Sequence, residues 1–172
     1  PQHKMIAYWT GRSGAIVLDD ANLHLAAHSI VYGTIMDRGN KCISTKKVFV
    51  TRNILEKFEY ELLQASNAVV SGSPCSPDTN VGAFDQSVVD TIKRETNSAE
   101  VLFDGVLRIV KVDCFHPLLN EELPYPILAL CIVDSETDAI NLSNRSVVQT
   151  PLGASLAISV FTESEPAFQR CA

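Results

Sequence analysis

Apolar and polar positions follow two rhythms along the chain. Ala15-Ile16-Val17-Leu18 is a short unbroken apolar run, the composition of a strand, and the Asp19-Asp20 pair behind it offers an acidic cap for a helix. Over residues 21–36 the rhythm changes. Leu23, Ala27, Ile30, Val31, Thr34 and Ile35 recur near a 3.6-residue period, so one helix face is apolar, and Asp37-Arg38-Gly39 ends it. Lys47-Val48-Phe49-Val50-Thr51 reads as the next strand. Asn53, three residues ahead of Glu56, predicts a capped helix whose buried stripe is Ile54, Phe58, Leu62 and Ala65.

Residues 71–78 are a loop by their Ser, Gly and Pro content, and a helix is predicted over 84–95. Residues 100–103 and 107–112 read as paired strands around Asp104-Gly105, a hairpin signal. Pro124-Tyr125-Pro126 breaks the chain before residues 127–133, an all-apolar run suited to a strand buried on both faces. A short helix over 135–142 and a strand over 157–161 complete the pattern. Strands alternating with helices predict an α/β fold, a layered, mostly parallel sheet flanked by helices. The 172 residues fit one domain, taken as 1–172, with no internal repeat or linker.

Composition narrows the partners. A net charge of −6 argues against a nucleic-acid surface, and the dense basic spots are only Lys46-Lys47 and Lys93-Arg94. No run of about 18 apolar residues spans a membrane. Five cysteines, at 42, 75, 114, 131 and 171, have neither zinc-like spacing nor an even count, so a reducing cytoplasm is expected and no metal. His24 and His28, four apart on a helix, lack a third ligand and read as a helix-surface pair.

Several segments, taken in order, resemble the catalytic domain of the NAD(P)-dependent aldehyde dehydrogenase superfamily. They are "IVLDDANLHLAAHSIVYG", "GNKCISTKKVFV", "SPDTNVGAFDQ", "NEELPYPILAL" and "DAINLSN" with "TPLGASLAISVFT". The resemblance implies a fold of that type, with Cys42 standing where the family keeps the thiol that attacks the aldehyde. It also aligns Glu122 with the carboxylate that bonds the nicotinamide ribose.

The departures shape the functional expectation. Where the family keeps the Glu of an E-L-G-G-K motif as general base, this chain reads Tyr8-Trp9-Thr10-Gly11-Arg12. A neutral phenol, with a reference pKa of about 10, is a poor base at pH 7. Pro124-Tyr125 replaces the family's Phe-Gly, and no Gly-rich dinucleotide turn precedes the segment. Losing an oxyanion donor or a base costs roughly 10²–10⁴ in rate, whereas a lost hydride acceptor site cannot be replaced.

The expectation is therefore a truncated family member that works on a carbonyl-bearing small molecule without a redox cofactor, by isomerisation, cyclisation or addition. Cys42 and Tyr8 would be its catalytic groups, Trp9, Asn40 and Tyr125 its substrate pocket, and Glu122 a vestigial cofactor contact. The bland readings are an inert thiol, a packed strand at Tyr8 and Trp9, and a surface carboxylate at Glu122. Two alternatives stand beside it: a non-catalytic binding or oligomerisation module, and a fragment of an aldehyde dehydrogenase oxidising aldehydes with NAD(P). A homodimer or higher oligomer is expected, because a catalytic domain without its companion exposes apolar surface.

Overall fold

The computed structural model describes residues 11–148 and 156–171. Strand β1 (Ser13–Val17) leads into helix α1 (Leu23–Ile35), and β2 (Thr45–Thr51) into α2 (Leu55–Asn67). Two-residue strands β3 (Ser71–Gly72) and β4 (Val81–Gly82) bracket the Ser- and Pro-rich loop, followed by α3 (Gln86–Glu95). The hairpin is β5 (Glu100–Asp104) and β6 (Arg108–Val112), and then come β7 (Ile127–Val133), α4 (Glu136–Val148), β8 (Ile158–Phe161) and α5 (Glu165–Cys171).

Six strands form one sheet in the order β5-β6-β7-β2-β1-β8. Every pairing in it is parallel except that of β5 with β6, as expected where a tight turn joins two strands. Period-two alternation sorts the sheet's side chains between two cores. Ala15, Val17, Val48, Val50, Leu128 and Leu130 pack toward α1 and α2. Ile16, Phe49, Val110, Ala129, Cys131 and Val133 face Leu118, Leu119, Ala139 of α4 and Ala167 of α5. The sheet is covered on both sides, which is why β1 and β2 have no exposed residue.

Three local expectations need correction. The cap of α1 is Asn22, whose side chain accepts from Leu25 N at 3.0 Å, and not the preceding aspartates. Asp19 instead accepts from Asn53 Nδ2 at 2.9 Å and Asp20 from Thr162 Oγ1 at 2.7 Å, so both tie strand ends together. With Asn53 so engaged, the cap residue of α2 is Ile54, which makes no side-chain capping bond. Helix α4 runs to Val148 rather than stopping at 142. The short helix α5 carries no apolar period long enough to read from sequence.

Candidate active site

Helix α1 ends in a turn of unusual conformation. Asp37 (φ 50°), Arg38 (φ 59°) and Gly39 (φ 79°) are all left-handed, in consecutive positions. Such a conformation costs a non-glycine residue roughly 1–2 kcal/mol, so something must hold it. Ser44 Oγ donates to Met36 O at 3.2 Å across the turn, and Ser44 N to Lys41 O at 3.0 Å. Cys42 sits inside this clasp, half-buried, between exposed Lys41 and Ile43. Its carbonyl accepts from Ser13 Oγ at 3.4 Å, and a Cβ on Gly11 would come within 1.8 Å of the same oxygen. Glycine at 11 is what lets the chain entering β1 press on the Cys42 main chain.

The facing wall is the loop over residues 119–126, between β6 and β7. Gly39 touches it directly: a Cβ there would stand 2.3 Å from Tyr125 C and 2.5 Å from Pro126 N. Three buried cations hold this loop by its carbonyls. Lys47 Nζ donates to Leu119 O at 3.0 Å, Arg12 Nη1 to Asn120 O, and Lys46 Nζ both to Tyr125 O at 2.8 Å and to Gly39 O. Arg12 and Lys47 are only 1% exposed and Lys46 5%.

Burial dictates their protonation. Desolvation lowers Lys47 to about 7, helped by the charge of Arg12. It lowers Lys46 to about 8, against the opposing pull of the Glu122 carboxylate. Arg12 is lowered by the same burial, again opposed by Glu122. Glu122 is exposed, so its field reaches the buried cations from the solvent side.

Of the residues singled out in the sequence, Cys42, Asn40, Tyr125 and Glu122 belong to these two apposed segments. Tyr8 and Trp9 lie outside the described residues. Lys46 and Lys47, one of the two basic spots of the sequence, are committed to main-chain carbonyls. Arg12 went unremarked as a site residue. The signal was available: extending the apolar run of β2 backward places both lysines in a strand covered on each face, where a charge must find partners. Cys131 is the buried strand cysteine expected, its thiol pushed up to about 12 mainly by desolvation. Cys75 is exposed in its loop.

A cavity of about 980 Å³ lies elsewhere. It opens between α1, α2 and the β3 and β4 segments, and Asp37 and Arg38 of the left-handed turn form part of its rim. Arg38 stacks over the Phe84 ring at 4.5 Å there. None of Cys42, Asn40, Glu122 and Tyr125 lines it.

A model of the aldehyde dehydrogenase family matches residues 2–172, nearly the whole chain. The chain belongs to this family. Benzaldehyde dehydrogenase YfmT of Bacillus subtilis (strain 168) is 31% identical over 163 residues, covering 86% of this chain and 33% of that protein. Lactaldehyde dehydrogenase of Escherichia coli (strain K12) is 28% identical over 154 residues, covering 79% of this chain and 32% of its own. An NAD-dependent aldehyde dehydrogenase from Sinorhizobium meliloti superposes with a TM-score of 0.80 at 23% identity, over 94% of this chain and 35% of that one. The fold is thus that of the family, and the chain spans about a third of the length of the relatives it matches.

The family resemblance implies a nicotinamide dinucleotide, and the described residues can be tested for it. A pyrophosphate is held by free backbone N–H groups at a helix N-terminus, reached past glycine. The strand-to-helix connections here, over 18–22, 52–54, 83–85, 134–135 and 162–164, contain no glycine, and Asp19 and Asp20 lie at the first of them while Asp85 is the cap residue of the helix after the third. Among the described residues the dinucleotide finds no cradle.

Proposed function

We propose that this chain is the thiol-bearing segment of an aldehyde dehydrogenase, and that Cys42 captures the aldehyde. The carrying observation is the placement of Cys42. By the sequence resemblance it stands where the family keeps its thiol, in a clasped turn whose Gly39 meets a loop that buried cations hold by its carbonyls. In the proposed step the Cys42 thiolate forms an S–C bond to the aldehyde carbon, the C=O π pair moves to oxygen, and that oxygen takes a proton from water. The product is a hemithioacetal. Asn40 and Tyr125 belong to the pocket in this reading, and Glu122 contributes negative potential at its mouth.

The cofactor-free isomerase or cyclase reading rested on the missing hydride-acceptor site and on Tyr8 in place of a base. Tyr8 lies outside the described residues, and the relatives that cover most of the chain carry dehydrogenase names, so aldehyde oxidation is the favoured class. No hydride step is assigned to the described residues, because they offer no cradle for the acceptor. The same reading keeps residues 1–172 as one unit of the family's catalytic-domain type and keeps self-association as the expected state. The half-exposed strand β8, with Ile158 36% exposed and Leu156 ahead of the strand 61% exposed, is the apolar edge available for it.

Protection against alkylation tests the assignment. Benzaldehyde should slow iodoacetamide labelling of Cys42, read by mass spectrometry of its peptide, while leaving exposed Cys75 unaffected. Equal protection of both cysteines, or of neither, removes the proposed role of Cys42.

A further inference from the structure

Two separate features join the turn before Cys42 to the loop that carries Glu122. One is steric: Gly39 lies so close to the Tyr125–Pro126 peptide that no side chain fits between them. The other is polar. The Lys46 ammonium donates to Gly39 O, three residues before Cys42, and to Tyr125 O, three residues after Glu122.

A buried ammonium is an expensive way to fill space. Taking it out of water costs several kcal/mol, and an apolar side chain of similar length would pack at no such cost. Its return here is connectivity. Arg12 and Lys47 fix the start of the loop at Asn120 and Leu119, whereas Lys46 bonds both the loop and the turn. The turn also needs restraint, because Asp37 and Arg38 are held in a left-handed conformation that non-glycine residues avoid. Ser44 ties its near end at Met36 O, and Lys46 ties its far end at Gly39 O.

We propose that Lys46 is a positioning residue that fixes the Cys42 turn against the Glu122 loop, so that the thiol and the wall facing it move as one unit. This rests on the proposed role of Cys42 for its catalytic meaning. The mechanical claim stands on the shared ammonium and the glycine contact.

Hydrogen exchange by mass spectrometry separates the two. Amide exchange over 36–44 and 119–127 is compared in the parent chain, Lys46→Met, Lys46→Arg and Lys47→Met, alongside the alkylation rate of Cys42. Lys46→Met should accelerate exchange in both segments together by about tenfold, the scale of one lost charge-assisted hydrogen bond. It should change Cys42 labelling without changing that of Cys75. Lys46→Arg should restore much of the protection, since a guanidinium can still donate to two carbonyls. Lys47→Met should loosen 119–127 but not 36–44.

Loosening of one segment alone by Lys46→Met, of neither, or of both by Lys47→Met as well, overturns the proposal. If Lys46→Met does not fold, the same comparison is made with Lys46→Gln, which keeps one donor group, and the same three outcomes decide. The aldehyde-protection experiment on the parent chain judges the thiol's role independently, so either idea can fail alone.

Discussion

Where β1, β2 and β7 begin, Arg12, Lys46 and Lys47 are buried and donate hydrogen bonds to main-chain carbonyls of a neighbouring loop. Where the same strands stop, the polar groups stay in water and pair with one another: Arg52 with Asp134 at 2.7 Å, Asn53 with Asp19, Thr162 with Asp20. Open parallel sheets usually place their ligands at the carboxyl ends of strands. Here the Cys42 turn lies at the amino end of β2, and the carboxyl ends carry mutually satisfied surface groups. The contrast teaches that burial, and not the number of polar contacts, marks the edge built to hold something still. Exposed pairs contribute roughly 0–1 kcal/mol, whereas a buried charge is tolerated only where its partners are fixed.

The strongest test of that contrast is Gly39→Ala. A Cβ must intrude between Gly39 and the Tyr125–Pro126 peptide at a left-handed residue, so overpacking of about 1–3 kcal/mol adds to a conformational cost of about 1–2 kcal/mol. Chemical denaturation should show a loss of several kcal/mol. Gly82→Ala is the control, because the nearest atom to its new Cβ is Arg38 Cδ at 4.0 Å. A Gly39→Ala chain as stable as the Gly82→Ala chain would mean that the two segments are not pressed together.

The next effect is a dependence on pH. Lys47 at about 7 and Lys46 at about 8 lie below their ordinary values, so between those values and roughly 10.4 the unfolded chain binds more protons. Stability should therefore rise with pH from 7 to 9, by roughly 3–4 kcal/mol at a limiting slope near 1.4 kcal/mol per unit per lysine. Above about 9 the sign reverses for Cys131. Its thiol stays protonated to about 12 in the fold while the unfolded thiol ionises, so it withdraws stability as pH climbs further. Urea midpoints across pH 6–10 would show the rise, and Lys47→Met should remove the part that begins near pH 7. A flat profile in the parent chain would place these lysines in water.

The elements that sequence revealed are those whose side chains repeat. The sheet strands β1, β2 and β7 and helices α1 and α2 were legible because Ala15 to Leu18, Val48 to Val50 and the stripe of Phe58 and Leu62 carry an unambiguous period. The caps were less so, because Asp19, Asp20, Asn22 and Asn53 are all competent acceptors and tertiary partners chose among them. Cys42, Asn40, Tyr125 and Glu122 were visible through family resemblance. That they are joined by Lys46 was not, because a hydrogen bond across 79 residues leaves no mark in local pattern. Nor was the left-handed turn, since Asp37 and Arg38 carry no glycine signal of their own.

The smallest predicted effect completes the comparison at the opposite edge. Arg52 and Asp134 have side chains 63% and 73% exposed, so their short ion pair is screened by solvent and salt. Arg52→Ala should change stability by less than about 0.5 kcal/mol and leave Cys42 labelling untouched. Repeating the measurement in high salt sharpens it, because a contribution from the exposed pair should shrink there while Lys47→Met keeps its full effect. If Arg52→Ala instead costs as much as Lys47→Met, the two ends of the sheet do not differ as their burial says, and the surface pairs must be part of a coupled network around Asp19 and Asp134.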